Sequence, residues 1–370
     1  MKNISIVFIA FLLLSCGENR SGIITFSTPD RLSGQTDVLE LACDPIDTVD
    51  IAVIGTQING IEALRRLSDI NGIRIKAIFD NIPENLATAQ TVLKEMSQTV
   101  ADEYWGSGNW RKICERADID LVYICTPEKF RTTIAVFAME SGKHVASETP
   151  VALTLNDCWE LVNVAEKTRR HCVMMQNSNY DPFELTMLNM AQLGFFGDIS
   201  RIESGGLHYV NAIGPAAQIL NIHRGDKMNY LLFVSGAKNA IIKTEKGKTV
   251  ILRNDSISSL PSGREYNIYG TKTSAKKNSH QVSDSLLKAY AHPIVKEIKD
   301  PDLIADYRLI YCLRNGLPLD MDVYDAAEWS AITPLSIISA KHNGRPVMFP
   351  DFTRQSWDKL KGYKQYKNDR

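Results

Sequence analysis

The 370-residue sequence lacks several features that would each indicate a class of protein. It has no run of about 20 apolar residues, the length that a membrane-spanning helix needs. It has seven cysteines but no C-x-x-C pair, so the cysteine spacing predicts neither a metal site nor a disulfide framework. Its 42 Lys and Arg nearly balance 43 Asp and Glu, which gives no reason to expect a nucleic-acid partner. The remaining composition, 44% hydrophobic and 23% charged, is typical of a globular protein of about two domains.

The first residues form a pattern of their own. Lys2 precedes an apolar run over residues 4–14, which has the length of a signal-peptide core. The run ends in "LLLSC", which resembles the lipobox of bacterial lipoproteins, with a small residue, Ser15, before Cys16. We therefore expect a signal peptide at residues 1–15, lipidation at Cys16, and an exported protein anchored to a membrane at the periplasm or cell surface. An ordinary secretory signal, with Cys16 present by chance, is the alternative.

Hydrophobic patterning divides the rest of the chain. Residues 16–48 are polar and mixed, which indicates a tether and an N-terminal extension. From residue 49 to 177, strand-like runs alternate with helical runs, which predicts βαβ units and a parallel sheet. Over residues 178–370 strands follow strands, which predicts an antiparallel sheet. The predicted fold is α/β: an N-terminal Rossmann domain with a doubly wound parallel sheet, and a C-terminal α+β domain with an open, mostly antiparallel sheet.

Local signals add detail to this division. Thr154 and Asp157 have the spacing of a capping box at a helix start. Lys246-Gly247 predicts a hairpin turn. The segment "NWRKICERADID" reads as a helix, "DISRIESGGLH" as a strand, and the "MLNM" methionines as core residues.

The stretch "DIAVIGTQING", residues 50–60, predicts a cofactor-binding turn with one unusual residue. Gly55 can form the tight turn after a strand, and Gly60 can allow close packing of helix on strand. Gln57 replaces the middle glycine of G-x-G-x-x-G, where a side chain should crowd a pyrophosphate. Asp80, at the end of the next strand, has the position of an acid that binds the adenosine ribose and favours NAD. A structural βαβ unit without a cofactor is the alternative.

The stretch "YICTPEKFRTTIAVFAMESGKHVASETP", residues 123–150, resembles the Gfo/Idh/MocA oxidoreductases. Those proteins usually carry Glu-Lys-Pro at its end, and the lysine is a catalytic acid. Here the residues are Glu148, Thr149 and Pro150. A threonine hydroxyl does not donate a proton near neutral pH as an ammonium does. The sequence therefore argues against a plain sugar dehydrogenase.

Longer segments resemble glycoside hydrolase family 109, the NAD-dependent α-N-acetylgalactosaminidases within that superfamily. They are "WRKICERADIDLVYICTP", "LNIHRGDKMNYL" and "GLPLDMDVYDAAEWSAITPLSIISAKHNGRPVMFPDFTR", among others. The resemblance implies that bound NAD transiently oxidises the sugar at C3, after which the aglycone is eliminated, water adds and the hydride returns. It also implies a glycan or small-molecule substrate with an N-acetylgalactosamine-type sugar. It leaves open whether copies of the chain form a homo-oligomer.

The resemblance also implies which residues contact NAD. The family's first-turn contacts fall on Asn59 and Gly60, and its acidic ribose contact falls on Asp80. Its Trp-x-x-His segment falls on Glu128 to Arg131, where both family residues are replaced. The remaining NAD contacts are residues that follow two later strands: Glu148, Thr149 and Asn177.

On the substrate side the family pattern is incomplete. The family's Tyr-x-His reads Gly206-Leu207-His208, so that only the histidine remains. A Trp- and Arg-rich insert is absent, and Asn211 stands where a second histidine is expected. A sugar-contacting tyrosine is replaced by Ser262. We expect His208 to be the surviving catalytic base; the alternative is a strand histidine that faces a cleft or solvent.

His223 in "LNIHRGDK" is predicted to be structural, with Arg224 and Asp226 pairing locally. Three functions remain open from the sequence. The first is an NAD-dependent glycosidase of the family 109 type. The second is a non-catalytic lipoprotein that binds a sugar or a dinucleotide. The third is an oxidoreductase with net NAD(H) turnover.

Overall fold

A computed structural model describes residues 17–18, 22–206, 208–253, 265–277 and 282–363. The strands, in chain order, are β1 (Gly17–Glu18), β2 (Ile24–Thr25), β3 (Val49–Ile54), β4 (Ile73–Phe79), β5 (Asp102–Tyr104), β6 (Leu121–Ile124), β7 (His144–Ser147), β8 (Cys172–Met174), β9 (Ile199–Gly205), β10 (Met228–Val234), β11 (Asn239–Thr244), β12 (Thr249–Arg253), β13 (Tyr266–Gly270), β14 (Ser274–Lys276) and β15 (Val347–Met348). The helices are α1 (Ile58–Ser68), α2 (Pro83–Glu95), α3 (Trp110–Cys114), α4 (Glu128–Glu140), α5 (Leu155–Thr168), α6 (Pro182–Gln192), α7 (Tyr209–Ile219), α8 (Asp284–Tyr290), α9 (Ile294–Glu297), α10 (Pro301–Asn315) and α11 (Val323–Lys341), with a 3-10 helix, η1 (Asn177–Tyr180).

The first sheet has six parallel strands in the order β5-β4-β3-β6-β7-β8. Strands β3, β6, β7 and β8 are buried along their whole length, as expected for a parallel sheet covered on both faces. The strand order reverses between β3 and β6, which makes the crevice at their carboxyl ends the expected ligand site. The predicted Rossmann domain is confirmed.

The second sheet has nine strands in the order β1-β2-β15-β10-β11-β12-β9-β13-β14. Most neighbours are antiparallel, whereas β12 with β9 and β15 with β2 are parallel. Strands β11 and β12 alternate between half-buried and buried residues, so that one face packs on the protein core. The helices α7 and α11 pack against this sheet. The predicted open, mostly antiparallel second sheet is confirmed.

Residues 22–48 pack along both domains. Ile24, Val38 and Leu41 are buried. Strand β2 joins the edge of the second sheet through β15, whereas Thr36 N donates to the carbonyl of Glu166 in the Rossmann helix α5 (3.3 Å). This segment is therefore part of the folded body. The predicted signal peptide and Cys16, residues 1–16, lie outside the described residues.

Several local predictions are confirmed. The capping box is present, because Thr154 Oγ1 accepts from Asp157 N and Asp157 reaches back to the Thr154 N–H. Gly247 turns between the antiparallel strands β11 and β12 with φ +80°. Met187 and Met190 are fully buried. The six cysteines that the structure describes are all free thiols.

Three local predictions are wrong. The helix predicted through residues 109–120 is only the five-residue α3, because the chain must leave it to enter β6. His208 does not lie on a strand: β9 ends at Gly205, and His208 is the N-cap residue of α7. Arg224 and Asp226 do not pair with each other, since each has buried partners elsewhere.

Within the described ranges, no helix is both long and apolar enough to cross a membrane.

Candidate functional site

The first turn of the Rossmann domain requires both of its glycines. Gly55 has φ +96°, and a Cβ there would lie 2.8 Å from the carbonyl carbon of Cys125. A Cβ on Gly60 would lie 1.9 Å from the Gly55 oxygen, inside van der Waals contact. The backbone of β3 can therefore turn sharply into α1, whose N-terminus faces the crevice, as dinucleotide binding requires.

Asp80 is fixed at the end of β4 by four donors. Its Oδ2 accepts from Thr56 N (2.8 Å) and Thr56 Oγ1 (3.4 Å). Its Oδ1 accepts from Ile82 N (3.0 Å) and Asn85 Nδ2 (3.1 Å). The carboxylate is 5% exposed and lines a cavity of about 370 Å³. It is oriented before any ligand arrives, which suits a ribose contact.

The same cavity has an apolar wall that the sequence alone did not reveal. Ile82, Trp110 and Phe130 line it beside Pro127. Ile82 is 46% exposed and Phe130 is 45% exposed, which is unusual for large apolar side chains unless something covers them. A flat purine ring is the part of NAD that such a wall accommodates. The sequence signals that could have predicted this wall are that Ile82 closely follows Asp80 and that Phe130 closely follows the Thr-Pro turn.

One buried polar atom in the cavity has no protein partner. Thr126 is 7% exposed and lines the cavity, and its Oγ1 has no hydrogen-bond partner among the described residues. A buried hydroxyl without a partner is costly and marks a site where a ligand or water completes the bonding. Together with the two glycines and Asp80, this hydroxyl fits the dinucleotide that the sequence predicted.

The other predicted first-turn residues have mixed placements. Gln57 is exposed, forms the N-cap of α1 and lines the cavity beside Gly55; its predicted crowding of the pyrophosphate stays a prediction. Asn59 is exposed in the first turn of α1. Arg131 is buried, and its guanidinium donates to the carbonyls of Thr126 (2.8 Å) and Pro150 (3.1 Å). Burial lowers the pKa of Arg131, and its contacts brace two turns of the crevice.

A second, polar cavity of about 200 Å³ lies at the same edge of the sheet. Four predicted or flagged residues meet there: Glu148 and Thr149 after β7, Asn177 after β8, and Asn211 in α7. Thr149 Oγ1 donates to Asn211 Oδ1 (3.2 Å), which links the two domains. Burial raises the pKa of Glu148 above its ordinary value, and Arg131 opposes that shift. Amide, hydroxyl and carboxyl groups of this kind suit the hydroxyls of a sugar. The contacts of Glu148, Thr149 and Asn177 with NAD stay predictions.

The opposite wall of this cavity is a charged network that the sequence reading missed. Arg66 of α1 pairs with Asp306 of α10 (Nε to Oδ2, 2.7 Å), and Tyr123 Oη donates to Asp306 Oδ1 (2.8 Å). Burial raises the pKa of Asp306 to about 6, although Arg66 acts in the opposite direction. Asn177 Nδ2 also bonds Asp302 of the same helix (3.1 Å). Helix α10 therefore closes the cavity with carboxylates.

His208 lies near this cavity but is not among the residues that line it. It is exposed and precedes α7, and its carbonyl accepts from Asn211 N at 3.0 Å. Leu207, the middle position of the family's Tyr-x-His, lies outside the described residues. Ser262, which replaces a sugar-contacting tyrosine of the family, also lies outside them. His208 as a catalytic base stays a prediction.

One group of side chains in the described part of the chain has the spacing of a metal site: His223, Asp322 and Asp325. Arg224, however, already lies 3.0 Å from Asp325 Oδ2 and 3.3 Å from Asp322 Oδ2. His223 Nε2 lies 3.0 Å from Glu328 Oε2. Burial lowers the pKa of His223, but Glu328 and Asp325 together raise it to about 10. The cations Arg224 and His223 thus pair with these acids, which gives the cluster the character of a structural ion network.

Comparison of the sequence with known proteins gives two kinds of match. Residues 49–176 match the family described as "Oxidoreductase family, NAD-binding Rossmann fold". Residues 233–359 match the family described as "Glycosyl hydrolase 109, C-terminal domain".

Whole-chain relatives bear names of the same family. Glycosyl hydrolase family 109 protein 1 of Bacteroides fragilis is 37% identical, with 98% of each chain covered. An alpha-N-acetylgalactosaminidase of Bacteroides fragilis is 38% identical, with 89% of this chain and 97% of that protein covered. The first alignment spans 457 positions, 87 more than this chain has residues, which agrees with the absence of an insert.

Solved structures share the fold at low sequence identity. The apo scyllo-inositol dehydrogenase from Lactobacillus casei is similar with a TM-score of 0.63 at 17% identity, covering 82% of this chain and 99% of that one. A levoglucosan dehydrogenase, solved with NADH and levoglucosan, has a TM-score of 0.64 at 16% identity, covering 82% and 100%. The chain belongs to glycosyl hydrolase family 109, and residues 49–176 are its NAD-binding Rossmann domain.

Proposed function

We propose that the protein is an NAD-dependent glycoside hydrolase that acts on an N-acetylgalactosamine-type sugar. The observation that carries this proposal is the pair of cavities at one edge of the Rossmann sheet. Gly55, Asp80 and Thr126 line the first, which fits a dinucleotide. Glu148 and Asn211 line the second, which fits a sugar. The name of the 38% identical relative from Bacteroides fragilis supports the choice of sugar.

The cofactor residues act by holding and orienting. Bound NAD would supply a hydride acceptor that takes a hydride from the sugar and later returns it. Asp80, whose four donors fix it, would accept hydrogen bonds from the adenosine ribose hydroxyls. The Thr126 hydroxyl would gain the partner that it lacks, and the wall of Ile82 and Phe130 would exclude water from the purine.

The polar cavity would position the sugar and move protons. Asn177 and Asn211 offer amides to sugar hydroxyls, and Arg66 with Asp306 keeps the opposite wall in place. Burial raises the pKa of Glu148 above its ordinary value, and its carboxyl oxygens can accept hydrogen bonds from sugar hydroxyls. Histidine is the side chain best suited to proton transfer near neutral pH. We therefore propose His208 as the base, since its carbonyl accepts from Asn211 N at the start of α7.

The decisive experiment combines cofactor content with turnover. We expect purified protein to release NAD on denaturation, detected by mass, and to cleave an aryl α-N-acetylgalactosaminide. Because general-base catalysis contributes roughly 100- to 10,000-fold, His208→Ala should lower kcat by at least about 100-fold while NAD content stays unchanged. The exposed His342 gives the matched control, and His342→Ala should keep full activity. Absence of both NAD and cleavage across a broad panel of aryl glycosides would refute the proposal.

A non-catalytic protein that binds a sugar or a dinucleotide is the second candidate. Asn211 in place of the family's histidine favours it, as do the 87 alignment positions in excess of the residues of this chain. Retained NAD with no turnover on any glycoside would establish this role. Steady release of NADH in the presence of a free sugar would instead establish an oxidoreductase.

We also propose that the mature protein is a lipoprotein anchored to a membrane through Cys16, which the "LLLSC" sequence supports. Mass spectrometry of the N-terminal peptide should detect a diacylglyceryl adduct on Cys16. A chain that begins at residue 17 should be found in the soluble fraction, and membrane association of that chain equal to that of the full chain would contradict the anchor. A homo-oligomer is the assembly we propose, and light scattering on the same detergent-free chain tests it.

A further inference from the structure

A basic cavity of about 450 Å³ lies in the second domain, away from the two cavities of the catalytic cleft. Helix α7 connects the regions: its first turn carries Asn211 of the cleft, and the residues after its last turn, Leu220 and Asn221, line the basic cavity. Asn211 and Leu220 are nine residues apart along this helix, a rise of about 14 Å. The basic cavity shares no lining residue with either cavity of the cleft.

Three lysines line the cavity from different parts of the chain. Lys246 and Lys248 flank the turn between β11 and β12, and Lys361 lies near the end of the described chain. The two acids of the lining offset them only partly: Asp226 is buried, and Asp358 is exposed. The cavity therefore carries a net positive charge.

The buried acid is already committed to the protein. Asp226 Oδ1 accepts from Lys227 N (2.9 Å) and Lys246 N (3.1 Å), and its Oδ2 accepts from Thr244 Oγ1 (2.8 Å). Lys248 Nζ is 3.8 Å from Asp226 Oδ2, too far for a hydrogen bond. Burial and the Lys246 charge lower the pKa of Lys248, against the attraction of Asp226. An anion in the cavity would relieve this unfavourable environment.

No carboxylate among the described residues forms an ion pair with the Lys246 or Lys361 side chain. Their ammonium groups are available to a ligand. Trp357 adds an aromatic wall, with Lys227 Nζ 5.6 Å from the centroid of its indole ring. A concave site lined by both cations and an indole suits a ligand with a charged group attached to a ring that has an apolar face.

We propose that this cavity is a second binding site, which takes the sulfate or carboxylate group of an acidic saccharide. Lys246 and Lys248 hold the charged group, and Trp357 contacts the sugar ring. The site is independent of turnover, and a protein without glycosidase activity would keep it. It gives the protein a preference for acidic glycans that the catalytic cleft, walled by Glu148, Asp302 and Asp306, does not supply.

Calorimetric titration of the full chain with defined probes tests this proposal. We expect saturable binding of galactose 6-sulfate and of galacturonate, at least about 10-fold tighter than of galactose, because charged hydrogen bonds are the stronger ones. Binding should weaken as the salt concentration rises. Lys246→Gln and Lys248→Gln should each weaken binding at least about 5-fold, within the range of a partly exposed charge contact. Trp357→Ala should weaken binding of galactose 6-sulfate and leave that of inorganic sulfate unchanged.

The matched control is Lys272→Gln, which removes the same charge at the turn between β13 and β14, at the far edge of the sheet. It should bind galactose 6-sulfate as the unmodified protein does, and thermal melting should confirm that every variant folds. Unchanged binding in both cavity variants would overturn the proposal, as would equal binding of galactose. Inorganic sulfate binding as tightly as galactose 6-sulfate would overturn the assignment to a saccharide. Failure of this proposal is distinguishable from failure of the proposed glycosidase activity, because these experiments measure binding and not turnover.

Discussion

Thr149 and Asn211 are joined by a hydrogen bond of 3.2 Å across the cleft between the two domains. Thr149 stands where the related oxidoreductases carry a catalytic lysine, and Asn211 stands where the glycosidase pattern has a histidine. Neither a threonine hydroxyl nor an asparagine amide transfers protons near neutral pH. The pair instead fixes the geometry of the polar cavity, and proton transfer must come from other groups.

Asn211→Ala should therefore lower kcat/KM for an aryl α-N-acetylgalactosaminide by about 10-fold, the value of one hydrogen bond to the sugar and one across the cleft. Thr149→Val breaks the link but keeps the amide, and its effect should be smaller. Asn71→Ala, at an exposed turn on the Rossmann domain, serves as the control. A rate in Asn211→Ala equal to that of the unmodified protein would show that the amide takes no part in binding.

Thr126→Val should raise the stability of the cofactor-free protein and lower its affinity for NAD. Removal of a buried hydroxyl without a partner should raise the free energy of unfolding of the cofactor-free protein by about 1 kcal/mol. Loss of a neutral hydrogen bond to NAD should weaken its binding about 2- to 12-fold. Urea unfolding and calorimetry measure the two quantities.

The neighbouring Thr132 provides the contrast for that experiment. Its hydroxyl donates to the Val151 carbonyl at 2.8 Å, so Thr132→Val should lose about 1 kcal/mol of stability and leave NAD affinity unchanged. If Thr126→Val lost stability in the same way, its hydroxyl would have a partner within the protein.

Gly60→Ala should destabilise the protein by about 2 to 3 kcal/mol and abolish cofactor retention, because its Cβ would overlap the Gly55 oxygen. Gly236→Ala is the matched control: a Cβ at Gly236 meets no atom within 4 Å. Urea denaturation and released NAD are the two measurements. Equal stability of the two variants would mean that the turn can open without cost.

Acid should destabilise the protein through His144 and His171, whose rings pack together at 4.9 Å. Burial lowers the pKa of His144 to about 3 and that of His171 to about 4, and Arg170 adds to both shifts. The unfolded chain takes up these protons near pH 6.5, so it binds more protons than the folded chain below that pH. The free energy of unfolding should fall as the pH drops from about 6.5 through 4, by up to about 1.4 kcal/mol per pH unit for each histidine.

His171→Phe keeps a ring in the same position and removes one of the two titrating groups. The slope of unfolding free energy against pH, from urea titrations between about pH 7 and pH 5, should become shallower. Asn71→Ala, at an exposed position, replaces a side chain that carries no charge and should leave the slope unchanged. An identical slope in His171→Phe would assign the acid sensitivity to the carboxylates instead.

The sequence predicted most of what depends on local pattern. Alternating strands and helices gave the Rossmann sheet, and Gly55, Gly60 and Asp80 gave the cofactor turn, because each needs only neighbouring residues. The β-rich segment "DISRIESGGLH" predicts a strand through His208, whereas β9 ends at Gly205 and α7 begins directly after His208.

Long-range pairing explains the other errors. The sequence predicts a pair of Arg224 with Asp226, but the partner of Arg224 in the structure is Asp325, 101 residues away. The Arg66–Asp306 wall of the sugar cavity spans 240 residues and carries no motif. Such contacts arise only when α10 packs against α1, and a single sequence does not encode that packing in any local pattern.

The segment of residues 22–48 has a kinetic consequence. Its Gln35 Nε2 donates to Asn163 O in α5, and its Val38 N donates to Tyr324 Oη in α11, so that one stretch of chain fastens both domains. Rotation of one domain away from the other would break these bonds together. We therefore expect loops rather than a hinge between the domains to admit the sugar and release the products.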